Sequence, residues 1–383
     1  MTKAAIGRRE LFAIDGARGD QTEAWIRAAS PALADTLIEH AFGSIFALTT
    51  LSRREREMAS VAILAAIGGA EPQLRLHVEA ALRVGADRDE IVALVEHLSV
   101  YAGYPRAINM LRIVTEVFEE QAIPAALPSR TVTIGNMTTR MFDSGGDKPV
   151  MVLVHALGLD WRMWRDVIPP LCDRYRVVAY DLRGFGGAVE AEPASGAAHY
   201  AADLAELIES LDAGPVSVAG LSLGGTIALE LALARPELVR GLAIIAATAW
   251  PFPAFAERAD AARDHGVAAQ LRSTLTRWFN PADLAENDWS VRYARDCVLR
   301  AQLPGWCAGW NALDRLDIAD RLGEITLPTR VIAGECDAST PPGLMEKLLT
   351  IPGSRMDVIP GAPHMLALTH AAQLSALLLD LEN

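Results

Sequence analysis

The sequence predicts two unlike parts: an all-α N-terminal domain over residues 1–120, and an α/β domain over residues 131–383 with a mostly parallel sheet and a helical cap. Three observations carry this. The first third places apolar residues at helical spacing and has no strand-like alternation. From Thr131 onward, short apolar runs alternate with helix-like segments, as expected for a parallel sheet covered on both faces. Between them, residues 121–130 hold Pro124 and Pro128, which remove backbone donors and disfavour helix in the residue before them, so a linker belongs there.

Composition narrows the function. Of 383 residues, 51% are hydrophobic and 22% charged, enough for packed cores. The formal net charge of −13 gives no general attraction to phosphate backbones or anionic lipid, so nucleic acid is an unexpected partner. Residues 1–10 lack the apolar stretch of a secretory signal. The greasiest run, Val216 to Ala234, is interrupted by Gly220, Ser222, Gly224, Gly225 and Glu230, and reads as a strand entering a helix, not a membrane span. Cys172, Cys297, Cys307 and Cys336 have neither metal nor redox spacing. A reduced, cytoplasmic protein without metal, cofactor or disulfide framework is the expectation.

Taken in order, Glu23 to Ala47 has helical apolar spacing, ending near Gly43. Ser52 stands three residues before Glu55, a capping box ahead of the helical run Met58 to Ile67, which Gly68-Gly69 stops. Leu74 to Val84, Asp89 to Tyr101 and Pro105 to Gln121 complete the helical part. Strands are expected at Val150 to Val154, Arg176 to Ala179, Val216 to Ala219, Leu242 to Ala246, Thr329 to Ala333 and Met356 to Ile359, with helices at Trp161 to Arg174, Ala201 to Asp212 and Leu223 to Arg235. The interval from about 250 to 317 breaks that rhythm. It is helical in pattern and holds Trp278, Trp289, Trp306 and Trp310, and a helical insertion there would cap the C-terminal ends of the strands, where ligands bind in open α/β sheets.

Gly220-Leu221-Ser222-Leu223-Gly224 fits G-x-S-x-G between a strand and a helix. The sharp turn needs the glycines and exposes the Ser222 hydroxyl, while the Leu223 N–H at the helix start can point at a developing oxyanion. A serine hydroxyl needs a base. Gly361-Ala362-Pro363-His364 follows the last strand and supplies a histidine, and Gly334-Glu335-Cys336-Asp337 supplies an acid at a strand end. Asp337 is the preferred acid and Glu335 its rival; His364 would shuttle the proton. The second oxyanion donor is expected from His155-Ala156-Leu157-Gly158, at the Leu157 N–H, with His155 bracing the loop. Asp181 and Arg183 read as a loop-bracing ion pair.

These residues together resemble the α/β-hydrolase superfamily across Thr131 to Asn383, and within it the 3-oxoadipate enol-lactonases. The likeness continues through Leu157-Gly158 with Asp160, Met163 and Trp164, through Trp278-Phe279, Gly305 to Leu316, Leu327 to Thr329 and Gly334 to Pro341. It departs at Asp181 to Ala188, where Phe185 and Ala188 replace a usual histidine and serine. The resemblance implies opening of an enol lactone carrying a carboxylate side chain, for which Arg277, Arg292, Arg295 and Arg300 in the cap offer cations.

Residues from about Arg8 to Gln121 resemble the carboxymuconolactone decarboxylase family through Leu51 to Met58, Leu74 to His77, Ala81-Leu82, Gly85, Asp89 to Ile91 and Glu96 to Pro105. A thiol-peroxidase branch of that fold carries C-x-x-C before the histidine; here Ala70-Glu71-Pro72-Gln73 has no cysteine. Phe42 and Phe46 stand where the family often has tryptophans. The resemblance implies decarboxylation with His77 as proton donor or electrophile, supported by Arg53, Glu57, His97 and Tyr101, and a homo-oligomer built by this domain. Other readings stay open: Glu57 paired with Arg53, His97 packed on Tyr101, or the whole domain as a non-catalytic oligomerisation module. In catabolic order the decarboxylase product is the lactonase substrate, so the two halves together imply conversion of 4-carboxymuconolactone to 3-oxoadipate.

Overall fold

The computed structural model describes residues 2–121 and 127–381, so Pro124 of the expected linker lies outside them. The chain divides into two compact units, residues 1–126 and 127–383.

The first unit is helical. α1 (Lys3–Asp15) begins at Thr2, whose hydroxyl accepts the Ala5 N–H. α2 (Ala17–Ala29) ends at Ser30, which caps α3 (Pro31–Thr36); a wide-turned helix, Leu37–Phe46, continues from it. The single helix expected over 23–47 is therefore broken: proline at the first helical position fixes a new start and cannot donate to the turn before it. α4 (Arg53–Ile67) and α6 (Arg88–Tyr101) each open with a reciprocal capping box, Ser52 with Glu55 and Asp87 with Glu90. α5 (Glu71–Arg83) and α7 (Tyr104–Glu120) complete the set. Val61, Val78, Ile91, Met110, Val114 and Val117, from α4 to α7, are sealed from solvent. Burying each contributes about 1.5–3 kcal/mol.

The second unit is built on eight strands: β1 (Ser129–Ile134), β2 (Met137–Asp143), β3 (Val150–Val154), β4 (Arg176–Tyr180), β5 (Val216–Leu221), β6 (Val239–Ile245), β7 (Thr329–Gly334) and β8 (Arg355–Ile359). Their order is β1-β2-β4-β3-β5-β6-β7-β8. β1, β2 and β4 pair antiparallel and every other neighbouring pair is parallel. Ser129 and Arg130, expected in the linker, already belong to β1. The helix expected over Trp161 to Arg174 is two short turns, Trp161–Trp164 and α8 (Ile168–Leu171), because Pro169-Pro170 removes two consecutive donors. α9 (Ala197–Ser210) and α10 (Leu223–Ala234) pack on each other and on the sheet. Between β6 and β7 stand five helices, α11 (Pro253–His265), α12 (Leu271–Trp278), α13 (Pro281–Glu286), α14 (Trp289–Arg300) and α15 (Leu303–Arg315). α16 (Pro342–Met345), α17 (Leu366–Thr369) and α18 (Ala371–Leu379) follow the last strands.

Candidate active site

Ser222 sits between β5 and α10 with φ at 57°, a conformation costly for a side chain other than glycine's. Its N–H donates to the Ile245 carbonyl of β6 at 2.8 Å, which fixes the turn. The glycines around it are needed for space. A Cβ on Gly220 would fall 2.2 Å from the Gly224 carbonyl oxygen, and one on Gly224 would fall 2.1 Å from that of Val154. The elbow therefore threads between its neighbours only without those side chains.

His364 and Asp337 are both buried, with His364 Nδ1 2.8 Å from Asp337 Oδ2. Asp337 also accepts the Ser339 N–H at 2.7 Å, the Thr340 N–H at 2.9 Å and the Thr340 hydroxyl at 2.6 Å. Burial alone would raise its pKa. The imidazole and the Thr340 donors outweigh burial and hold the carboxyl below its usual range. Ionised, it fixes the imidazole with Nε2 free to face a substrate. The rival acid, Glu335, is exposed and accepts the Gly361 N–H at 2.8 Å, so it braces the histidine's turn. Ser222, His364, Thr340 and Leu157 line one cavity.

The amides of Leu157 and Leu223 donate to no protein acceptor among the described residues, leaving two N–H groups beside the elbow. The Leu157 loop is held from three sides. His155 Nε2 accepts the Leu182 N–H at 2.8 Å, and burial pulls that imidazole down to about 4, so it stays neutral. The Tyr293 hydroxyl, on α14, donates to Asp160 Oδ1 at 2.8 Å. Asp181 accepts the N–H groups of Trp161 at 2.8 Å and Gly187 at 2.7 Å. Burial, then nearby Asp160, pushes the Asp181 carboxyl up to about 8. The Asp181–Arg183 pair expected from sequence does not form. Arg183 reaches Asp203 on α9 instead, with its Nη2 2.7 Å from Oδ1, while Asp181 is taken by backbone donors.

Of the four cap arginines named from sequence, Arg277 alone lines the cavity. Arg292 and Arg295 turn to the Asn287 carbonyl and amide oxygen, and Arg300 is exposed. A second lining arginine was missed, Arg258 on α11. Arg258 lies one helical turn after Phe255, which lines the same cavity, and only the folded cap shows that the two share it.

In the helical unit, α4 and α5 bring Glu57 and His77 together, with Oε2 2.6 Å from Nδ1. Glu57 is fully buried, and its Oε1 has no hydrogen-bond partner among the described residues. Three supporting candidates lie elsewhere. Arg53 binds Glu10 of α1, Nε to Oε2 at 2.7 Å, and leaves Glu57 to the histidine. His97 and Tyr101 pack against each other with tilted rings, centroids 4.8 Å apart, on the exposed side of α6.

No group of three or more histidine, cysteine or acidic side chains able to hold a metal exists among the described residues. No helix among them is long and apolar enough to cross a membrane.

A serine on the sharp β5–α10 turn shares a cavity with a histidine that follows β8, itself paired with an acid that follows β7, an arrangement that fits the hydrolase class. The chain belongs to the α/β-hydrolase fold family, which it matches over residues 149–371, and residues 31–116 match the carboxymuconolactone decarboxylase family. It is similar to 3-oxoadipate enol-lactonase 1 of Acinetobacter baylyi, 29% identical over 194 residues, covering 50% of this chain and 73% of that protein. It is also similar to the pimeloyl-acyl-carrier-protein methyl ester esterase of Aeromonas hydrophila, 29% identical over 245 residues, 60% of this chain and 93% of that one. The solved enol-lactonase of Burkholderia xenovorans shares the fold, with a TM-score of 0.63 at 24% identity over 66% of this chain and 99% of that one.

Proposed function

We propose that the protein carries out two consecutive steps of aromatic catabolism in the cytoplasm. Its helical unit decarboxylates 4-carboxymuconolactone, and its hydrolase unit opens the resulting 3-oxoadipate enol-lactone to 3-oxoadipate. The observation that carries the reading is the His364–Asp337 pair, 2.8 Å apart, sharing a cavity with the strained Ser222.

In the hydrolase step His364 Nε2 takes the Ser222 proton as Oγ attacks the lactone carbonyl. The carbonyl oxygen becomes an anion held by the Leu157 and Leu223 N–H groups. The C–O bond to the ring oxygen breaks, the enolate takes the proton from His364, and the enol rearranges to a ketone, which draws ring opening forward. Water, deprotonated by the same imidazole, then releases the acyl group from Ser222. Arg277 is the partner we assign to the substrate's carboxylate. The relative named as an enol-lactonase supports the substrate class.

In the helical unit, carbon dioxide leaves C4 and the electron pair moves through the conjugated double bond onto the lactone carbonyl. The enolate is then protonated at carbon. His77, oriented by Glu57, is the donor we assign, and the step uses no cofactor. Exposed Val100, Tyr101, Tyr104, Ile108 and Leu111, on α6 and α7, suit burial against a further copy of the chain. The same apolar face favours a second reading, in which this unit only assembles the oligomer and the hydrolase acts on another lactone or ester, as the esterase relative does.

Two assays on the full chain decide. Ser222→Ala should stop enol-lactone hydrolysis, and unchanged turnover would remove the triad. Carbon dioxide release from 4-carboxymuconolactone should require His77; no release by the intact protein makes the helical unit a scaffold.

A further inference from the structure

The cavity beside Ser222 has a charge imbalance. Its lining includes two guanidinium groups, Arg258 and Arg277, and no carboxylate. Among the described residues neither forms an ion pair with an acid, and Glu257, the neighbour of Arg258 in the chain, acts on it only at longer range. Arg277 donates to the Thr274 hydroxyl at 3.3 Å, and Arg258 lies over the Trp310 ring, 4.9 Å from its centre. Elsewhere among this unit's described residues the two buried arginines are paired, Arg183 with Asp203 and Arg330 with Asp357. Trp310, which lines the cavity, also keeps a buried indole N–H without a partner among the described residues.

Both arginines are half-buried. Burial, with Arg258 nearby, brings Arg277 down to about 10, and burial also lowers Arg258 from its usual value; a guanidinium keeps its charge in proteins. Two like charges with no carboxylate in the cavity lining are costly in a partly desolvated site, and a ligand that supplies the opposite charge removes that cost. A single carboxylate offsets one of the two.

We propose that this cavity is a dicarboxylate site, in which Arg277 and Arg258 hold the two separate carboxylates of a short, flexible diacid. The proposal deepens the hydrolase reading and takes its location from it. Ring opening of a lactone with one carboxylate creates a second, so the product, and not the singly charged substrate, matches the cavity's full charge. The hydrolase unit then holds its own class of product more tightly than its substrate, and dicarboxylates inhibit it.

The test uses the full-length protein and three probes of one chain length: adipate, hexanoate and 1,6-hexanediol. Binding is followed by calorimetry and by the fluorescence of Trp278 and Trp310, which line the cavity. Adipate should bind about tenfold or more tightly than hexanoate, the order expected for one further charge-assisted contact, and the diol should be weakest. Arg258→Ala and Arg277→Ala should each reduce the adipate-to-hexanoate ratio to near one, and Arg258→Lys should keep most of it. Taking the ratio within each variant, alongside its circular dichroism, separates lost recognition from lost folding. Equal affinities in the unaltered protein would overturn the proposal, since both arginines would then clamp one carboxylate; so would no binding by either acid. Ser222→Ala should keep the adipate preference while losing lactone hydrolysis. A protein that prefers adipate yet never opens a lactone would sink the hydrolase reading alone.

Discussion

Each unit places a histidine against a buried carboxylate at nearly the same distance, 2.8 Å for His364–Asp337 and 2.6 Å for His77–Glu57, in opposite surroundings. Asp337 has both oxygens engaged, by the imidazole, the Thr340 hydroxyl and two backbone N–H groups. Glu57 has one oxygen engaged and the other buried with no partner among the described residues. The first pair is fully assembled before any ligand arrives, whereas the second leaves an acceptor that a proton or a ligand donor would satisfy. An unsatisfied buried acceptor costs about 1–3 kcal/mol, which a purely structural carboxylate would be expected to avoid.

The largest effect expected is at the assembled pair. Asp337→Asn should lower kcat for lactone opening by about 10⁴-fold with little change in KM, because the amide favours the wrong imidazole tautomer. A drop below about tenfold would show that the carboxylate only packs there. Next, Glu57→Gln should cut carbon dioxide release by about 10²–10⁴-fold if His77 is the acid it orients. An unaffected rate would make the two pairs alike in geometry only.

A smaller effect separates space from chemistry. Gly224→Ala forces a methyl against the Val154 carbonyl and should cost about 1–3 kcal/mol in urea unfolding, seen in the hydrolase unit alone. The smallest concerns pH. His155 is held at about 4, against about 6.5 unfolded, so between those values the unfolded chain binds the extra proton and stability from this group rises with pH. Asp181, held up to about 8, acts oppositely from its unfolded value of about 3.9 upward, so the comparison must be made by difference. Wild type minus His155→Gln should gain stability from pH 4 to 6.5; a flat difference would mean the imidazole is not held neutral.

How much of this could be read from the residues varied with the reach of each interaction. Ser222 and Asp337 each follow a short apolar strand and His364 a Gly-Ala-Pro turn after the last strand, so their placement needed only local pattern. The β1–β2 edge was harder to see, since Thr131, Thr133 and Arg140 leave it without a continuous apolar run. Arg53 was misjudged because its partner, Glu10, lies 43 residues away on another helix. Arg183 was assigned to its neighbour in the chain, while fold geometry gave it Asp203. The vacant oxygen of Glu57 and the unpaired state of Arg258 are properties of packed surroundings, for which residue spacing carries no signal.

The cap enters and leaves the sheet through neighbouring strands, β6 and β7, and is encoded by one unbroken stretch. A grafted replacement would bring its own selectivity to the same serine, provided it supplied a hydroxyl where Tyr293 meets Asp160, and acceptor and donor groups for the Met365 amide and the Gly361 carbonyl, now met by Trp278 and Asn280.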